Sequence, residues 1–160
     1  MFLLNNTYFL QYDGKKKHSD VLKNTKKTKL HLLRDFHDDL NINDNHNMLI
    51  FGENAPILKT LQETFEQKIS LVYTDPPFST NQIFKSGSDR TSTISHSNSD
   101  SVAYNDQLVG CDYFEFLRTS LIFLKELLSD KGSIYVHIDT KKGHYVKILL
   151  DEIFGENYFL

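Results

Sequence analysis

The chain has 160 residues, 39% hydrophobic and 12% aromatic, which is enough for one domain with a modest core and too apolar for a disordered polymer. A single cysteine, Cys111, excludes an internal disulfide and a thiolate metal cluster, and no apolar run approaches the ~20 residues that cross a bilayer. The net charge of −3 is unevenly divided: residues 1–34 hold eight Lys and Arg against two Asp, a net of +6, and the remainder carries −9.

Residues 1–47 read as a basic amino-terminal extension, partly helical. Met1-Phe2-Leu3-Leu4 is too short for a signal peptide and lacks its charged start, so no membrane partner is expected and a cytoplasmic setting is the default. Tyr8 to Tyr12 suits a short strand, Asp13-Gly14 a turn, and Val21 to Leu40 a helix turning Leu22, Leu30, Leu33, Phe36 and Leu40 towards a partner. Its lysines could neutralise phosphates, but a solvated charge run is the simpler reading. His31, His37 and His46 share no coherent face, so no metal site is expected. Asn41 to Asn47 is a polar break.

A regular pattern begins at Met48. Met48 to Phe51 predicts a short buried strand and Gly52 a turn, with Asn54 capping a helix that has Pro56 in its first turn and Ile57, Leu58, Leu61 and Phe65 on one face. Ile69 to Thr74 is the next strand, and this strand-helix-strand spacing implies a parallel pair with a right-handed crossover.

The second of those strands ends abruptly in Asp75-Pro76-Pro77-Phe78. Two prolines remove two backbone donors and fix two φ angles, so the ladder stops and a carboxylate is left at the carboxyl end of a strand. In open α/β sheets that edge is where ligands bind. Asp75 can accept a hydrogen bond from an amine, the stiff prolyl carbonyls can accept another, and Phe78 offers a face to a planar group. Two acceptors on one conjugated NH2 would push its nitrogen towards tetrahedral geometry and free its lone pair, in a preorganised frame. The same residues also suit an ordinary proline turn with a solvated acid.

Ser79 to Gly110 is crowded with Ser, Thr, Asn and Asp; between Gly87 and Ser101 the one large apolar residue is Ile94. Burial cannot offset its ordering entropy, so residues 79–110 are expected to form a mobile loop, either a lid or a plain insertion. Alternation then resumes. Asp112 to Leu128 predicts a helix with Phe116, Leu117, Leu121, Leu124 and Leu128 inward, Ser133 to Ile138 a strand, and Lys142 to Phe154 a helix with Val146, Leu149, Leu150 and Ile153 at helical spacing. His137 and Asp139 fall at a strand end, where they could border the site, although a structural capping role is the simpler expectation.

Asp75-Pro76-Pro77-Phe78 resembles the Asp-Pro-Pro-Tyr/Phe motif of S-adenosylmethionine-dependent DNA amino-methyltransferases. Flanking blocks extend the likeness over residues 48–160: Leu49-Ile50-Phe51-Gly52-Glu53-Asn54 upstream, then Ala103-Tyr104-Asn105-Asp106, Tyr113-Phe114-Glu115-Phe116 and Gly132-Ser133-Ile134-Tyr135-Val136-His137-Ile138-Asp139 downstream. Their order is similar to the β-ordered group and to type III modification subunits.

The resemblance implies an α/β, partial Rossmann-like methyltransferase fold with a mostly parallel sheet, and 48–160 as the catalytic half of the domain. It also implies double-stranded DNA as partner, a restriction subunit as a further one, and pairing of copies. A flipped adenine would stack on Phe78 while Asp75 and the Pro76 carbonyl accept its N6 hydrogens and Pro77 keeps the segment rigid; Glu53, standing where the family has Asp, and Asp75 would lie beside the cofactor. The family's Phe-x-Gly-x-Gly turn is not found in the chain. The expectation is therefore a chain truncated before the cofactor-binding half, with an incomplete S-adenosylmethionine site, inactive alone or completed by a second chain. Cytosine N4, RNA or protein glutamine as target, and a non-enzymatic remnant or assembly subunit, stay open as alternatives.

Overall fold

The computed structural model describes residues 8–34, 47–78, 82–87, 90–94, 101–106 and 108–159, with only the backbone described between 82 and 106. Most of the packing is organised by one helix, α3 (Gly110–Leu127). Apolar residues recur along it at three- and four-residue intervals, and Tyr113, Leu117, Leu121, Ile122, Phe123 and Leu127 are buried. Side chains of this size contribute about 1.5–3 kcal/mol each when fully buried. Three shorter helices close on α3: α1 (His18–Asn24) through Val21, α2 (Asn54–Phe65) through Leu58 with Leu61 and Phe65, and α4 (Thr140–Phe154) through Val146, Leu149 and Ile153. The inward faces of α2 and α4 are the ones their periodicity predicts.

Two strands form a parallel ladder beside these helices. β1 (Ile69–Thr74) pairs with β5 (Leu128–Val136) in the register Leu71↔Ser133, Val72↔Ile134, Tyr73↔Tyr135 and Thr74↔Val136. Ile69 pairs with Leu128, so β5 begins directly where α3 ends, and a bulge absorbs the extra residues before Ser133. Side chains alternate across the pleat: Ile134 and Val136 pack on the helical core, whereas Leu71, Tyr73 and Tyr135 lie exposed on the other face. The α/β expectation holds, with this parallel pair as its centre. Among the described residues no helix is long and apolar enough to cross a membrane.

Four local expectations are corrected. Met48 to Phe51 is not a strand: no ladder partner is present among the described residues, and Leu49 and Phe51 are almost wholly exposed. An apolar run becomes a strand only when another strand satisfies its backbone. The parallel partner of β1 is accordingly β5, not residues 48–51. The amino-terminal helix is His18–Asn24, ending where the Thr25 hydroxyl donates to the Val21 carbonyl at 2.8 Å, and Leu30 and Leu33 are exposed; Phe36 to Leu40, with His37 and His46, lie outside the described residues. Tyr8 to Tyr12 joins no ladder among the described residues, although the turn at Asp13-Gly14 is present, with Gly14 at φ +79°. Within 79–110, three segments pair as an antiparallel sheet of order β3-β2-β4: β2 (Gln82–Gly87), β3 (Arg90–Ile94) and β4 (Ser101–Asp106). A ladder satisfies backbone groups without demanding large apolar side chains, which composition alone does not reveal; residues 79–81, 88–89, 95–100 and 107 lie outside the description.

The basic amino-terminal segment is clasped to the core by buried charge. Arg118 on α3 is buried; its Nε donates to Glu152 Oε1 on α4 at 3.1 Å and its Nη1 to the Lys16 carbonyl at 2.9 Å. Lys15 Nζ donates to Glu152 Oε2 and to the Leu10 carbonyl, both at 2.7 Å, and the Tyr12 hydroxyl donates to Glu115 Oε2 at 2.8 Å. Burial first, then that bond to Glu115, holds the Tyr12 hydroxyl well above its ordinary pKa.

Candidate active site

β1 and β5 leave the sheet side by side, and the residues that follow them form the site. The His137 amide donates to the Thr74 carbonyl at 2.9 Å, one rung past the end of β5. On the other strand Pro76 and Pro77 have no amide hydrogen to continue the ladder. Because the register matches Thr74 with Val136, period-two alternation carries Asp75 and His137 onto one face, the same exposed face as Tyr73 and Tyr135. His137 Nδ1 lies 3.0 Å from Asp75 Oδ1.

Phe78 completes the corner. Its ring meets the His137 imidazole edge to face, with centroids 5.4 Å apart and planes at 83°, a favoured arrangement for ring pairs. Pro76 is buried and Pro77 and Phe78 are half-buried, so the prolyl segment is anchored, while the Asp75 and His137 side chains remain 61% and 58% exposed. A carboxylate only accepts hydrogen bonds, so the imidazole donates through Nδ1. Among the described residues no donor reaches Asp75 Oδ2. The corner thus presents an accessible acceptor oxygen next to an aromatic ring on a rigid turn, which is a set suited to a planar amine.

Asp139 stands apart from this chemistry. It is the N-cap of α4, and its carboxylate accepts from the Lys141 amide at 2.7 Å, satisfying one of the orphan donors of a helix start. The capping expectation holds for Asp139. His137, for which the same role was expected, pairs with Asp75 instead.

Glu53 lies in a different place. It is the residue before α2 and caps it without a side-chain bond; Asn54, the expected cap, is already helical and donates from Nδ2 to Ser120 Oγ on α3 at 3.1 Å. Gly52 precedes it at φ +152°, where a Cβ would come 3.0 Å from Ile57 Cδ1. Glu53 borders a cleft of about 290 Å³ with Lys16, Asn54, Asp112, Glu115 and Ser120, and none of Asp75, Pro76, Pro77 or Phe78 lines it. Glu115 Oε1 is buried there without a hydrogen-bond partner among the described residues. Carboxylates with spare acceptor capacity suit hydroxyl-bearing and cationic groups such as those of S-adenosylmethionine. The paired glycines that would let backbone approach its methionine part are not in this cleft.

Comparison with known proteins places these features in a family. A family model described as DNA methylase, covering enzymes of the N6 and N4 type, matches residues 69–160. The chain is 34% identical over 151 residues to the type II methyltransferase M.EcaI of Enterobacter cloacae, covering 94% of this chain and 30% of that protein. It is 32% identical over 114 residues to a probable type III restriction-modification enzyme HindVI Mod subunit of Haemophilus influenzae, covering 71% of this chain and 13% of that one. To the type II methyltransferase M.KpnI of Klebsiella pneumoniae it is 32% identical over 113 residues, covering 70% and 25%. The chain therefore spans less than a third of the length of these curated relatives. With the motif at a strand exit, the family match over residues 69–160 and these relatives together, the chain belongs to the N6/N4 DNA methylase family.

Proposed function

We propose that this chain carries the base-receiving part of a DNA adenine-N6 methyltransferase of a restriction-modification system. The observation that carries the reading is the Asp75-Pro76-Pro77-Phe78 corner, where an exposed carboxylate and an aromatic ring stand together at the exit of a parallel strand. A base flipped out of double-stranded DNA enters there and stacks on Phe78. Asp75 Oδ2 and the Pro76 carbonyl accept the two hydrogens of its exocyclic amine, which keeps the nitrogen lone pair out of the ring. Pro77 limits the freedom of the acceptors, so they need no reorganisation. S-adenosylmethionine, when bound, supplies an electrophilic methyl group, and Glu53 would lie beside it. Holding base and donor in one geometry provides much of the acceleration.

Adenine is favoured over cytosine because Asp, rather than Ser, opens the motif. Several relatives are Mod subunits of type III restriction-modification enzymes, which supports a restriction subunit as partner. The test is methyl transfer from labelled S-adenosylmethionine to duplex DNA by the chain alone and with a candidate complementing half, followed by nucleoside analysis. N6-methyladenine supports the reading. N4-methylcytosine replaces the target base, and calorimetry without cofactor binding in either mixture leaves a remnant or assembly subunit.

A further inference from the structure

The Asp75–His137 pair is too exposed to exist for stability. Solvent-exposed ion pairs contribute about 0–1 kcal/mol, and both side chains here are more than half exposed. Its partners come from strands 62 residues apart in sequence, brought together only by the β1–β5 register. What the pair does is geometric. The bond from Nδ1 engages Asp75 Oδ1 at 3.0 Å, which fixes the carboxylate's rotation and leaves Oδ2 as the oxygen that meets a ligand. The same imidazole stands nearly perpendicular to Phe78, 5.4 Å between centroids, and so sets the tilt of the ring on which a base would lie.

We propose that His137 is a positioning residue of this site: it aims Asp75 through Nδ1 and holds Phe78 by the perpendicular contact of their rings. The proposal rests on the methyltransferase reading above and adds a residue to it. His137 touches neither the reacting amine nor the methyl donor; it acts through Asp75 and Phe78. Neutral imidazole serves this purpose, because a donor at Nδ1 is all the carboxylate requires.

Three substitutions separate its two contacts. His137→Phe retains a ring against Phe78 and removes the Nδ1 donor; His137→Asn places an amide donor near the Nδ1 position without the ring; His137→Ala removes both. Methyl transfer to duplex DNA by the full chain, with its complementing half if one is required, is expected to lose roughly 10–100-fold in kcat in His137→Phe, a loss of the size seen when residues that orient metal ligands are removed, with KM for DNA within about two-fold. His137→Asn is expected to recover most of that loss, and His137→Ala to be the weakest. A His137→Phe protein with wild-type kcat, or a His137→Asn protein as impaired as His137→Ala, would overturn the proposal. Should the wild type transfer no methyl group, the functional reading fails and the pair is still tested: 15N shifts of His137 are expected to report the Nδ1–H tautomer in the wild type and to lose that preference in Asp75→Ala. An Nε2–H tautomer in the wild type would rule the positioning role out.

Discussion

Arg118 and Glu152 join α3 to α4 through a contact of 3.1 Å that is nearly closed to solvent, the guanidinium side chain being only 3% exposed. The same carboxylate holds Lys15, and the same guanidinium holds the Lys16 carbonyl, so one pair fixes two helices and the amino-terminal segment. A buried pair is costly to break from one side, because the surviving charge keeps its desolvation penalty without its partner. Glu152→Ala is expected to lower stability by about 3 kcal/mol, within the 3–5 kcal/mol range but softened by Glu115 at 3.8 Å from Arg118. Urea unfolding measures it, and a loss under about 1 kcal/mol would show that the pair is not the clasp described here.

His18, at the start of α1, gives the same region a pH dependence. Burial lowers its pKa below the ordinary histidine value of 6.5, and the Arg118 charge lowers it further. A histidine whose folded pKa is depressed favours the neutral form in the native state, so between the folded value and 6.5 the unfolded chain binds more protons. The stabilising contribution is fully present above pH 6.5 and is lost as the pH falls through that window. Thermal midpoints measured from pH 7.5 down to 5 are expected to decline less steeply in His18→Gln than in the wild type; parallel curves would remove His18 from the account.

How much of this was legible in the sequence depended on whether the signal was local. α2, α3 and α4 were readable within a few residues because their periodicity and their partners agree; Leu58, Leu121 and Leu149 are inward in both. The end of β1 was readable because Pro76 and Pro77 act on their own backbone. What failed needed a partner that the sequence does not name. Leu49 and Phe51 carry the composition of a strand and have no strand beside them among the described residues. The Asp75–His137 pair was missed for the same reason: both residues were marked as strand ends, but only the register shows that they share a face. Asn54 was read as a cap from local preference, and a hydroxyl on α3 claims it instead.

Core and surface apolar residues should respond very unequally to truncation. Leu121 is fully buried on α3, whereas Leu49 is 96% exposed. Leu121→Ala is expected to cost about 2–5 kcal/mol through lost transfer energy and the cavity left behind, and Leu49→Ala less than about 0.5 kcal/mol. Denaturant midpoints compare them directly. Equal losses would mean that Leu49 is covered in solution.

Gly132 links the fold to the site most directly. It sits in the bulge of β5, and a Cβ there would come 2.8 Å from the Ile69 carbonyl oxygen and 2.7 Å from Leu128 Cγ. The first of these is backbone of the paired strand, so it can yield only by moving β1 relative to β5. The pairings of Leu71 with Ser133 and Thr74 with Val136 follow that bulge, and they in turn place Asp75 against His137. Gly132→Ala is therefore expected to destabilise the protein by about 1–3 kcal/mol, as overpacking does, and also to disturb the Asp75–His137 contact several residues away. The expected signature is loss of the wild-type His137 15N pattern in protein that is still folded by circular dichroism. An unchanged pattern would show that the corner is held by the proline segment alone, independently of the strand register.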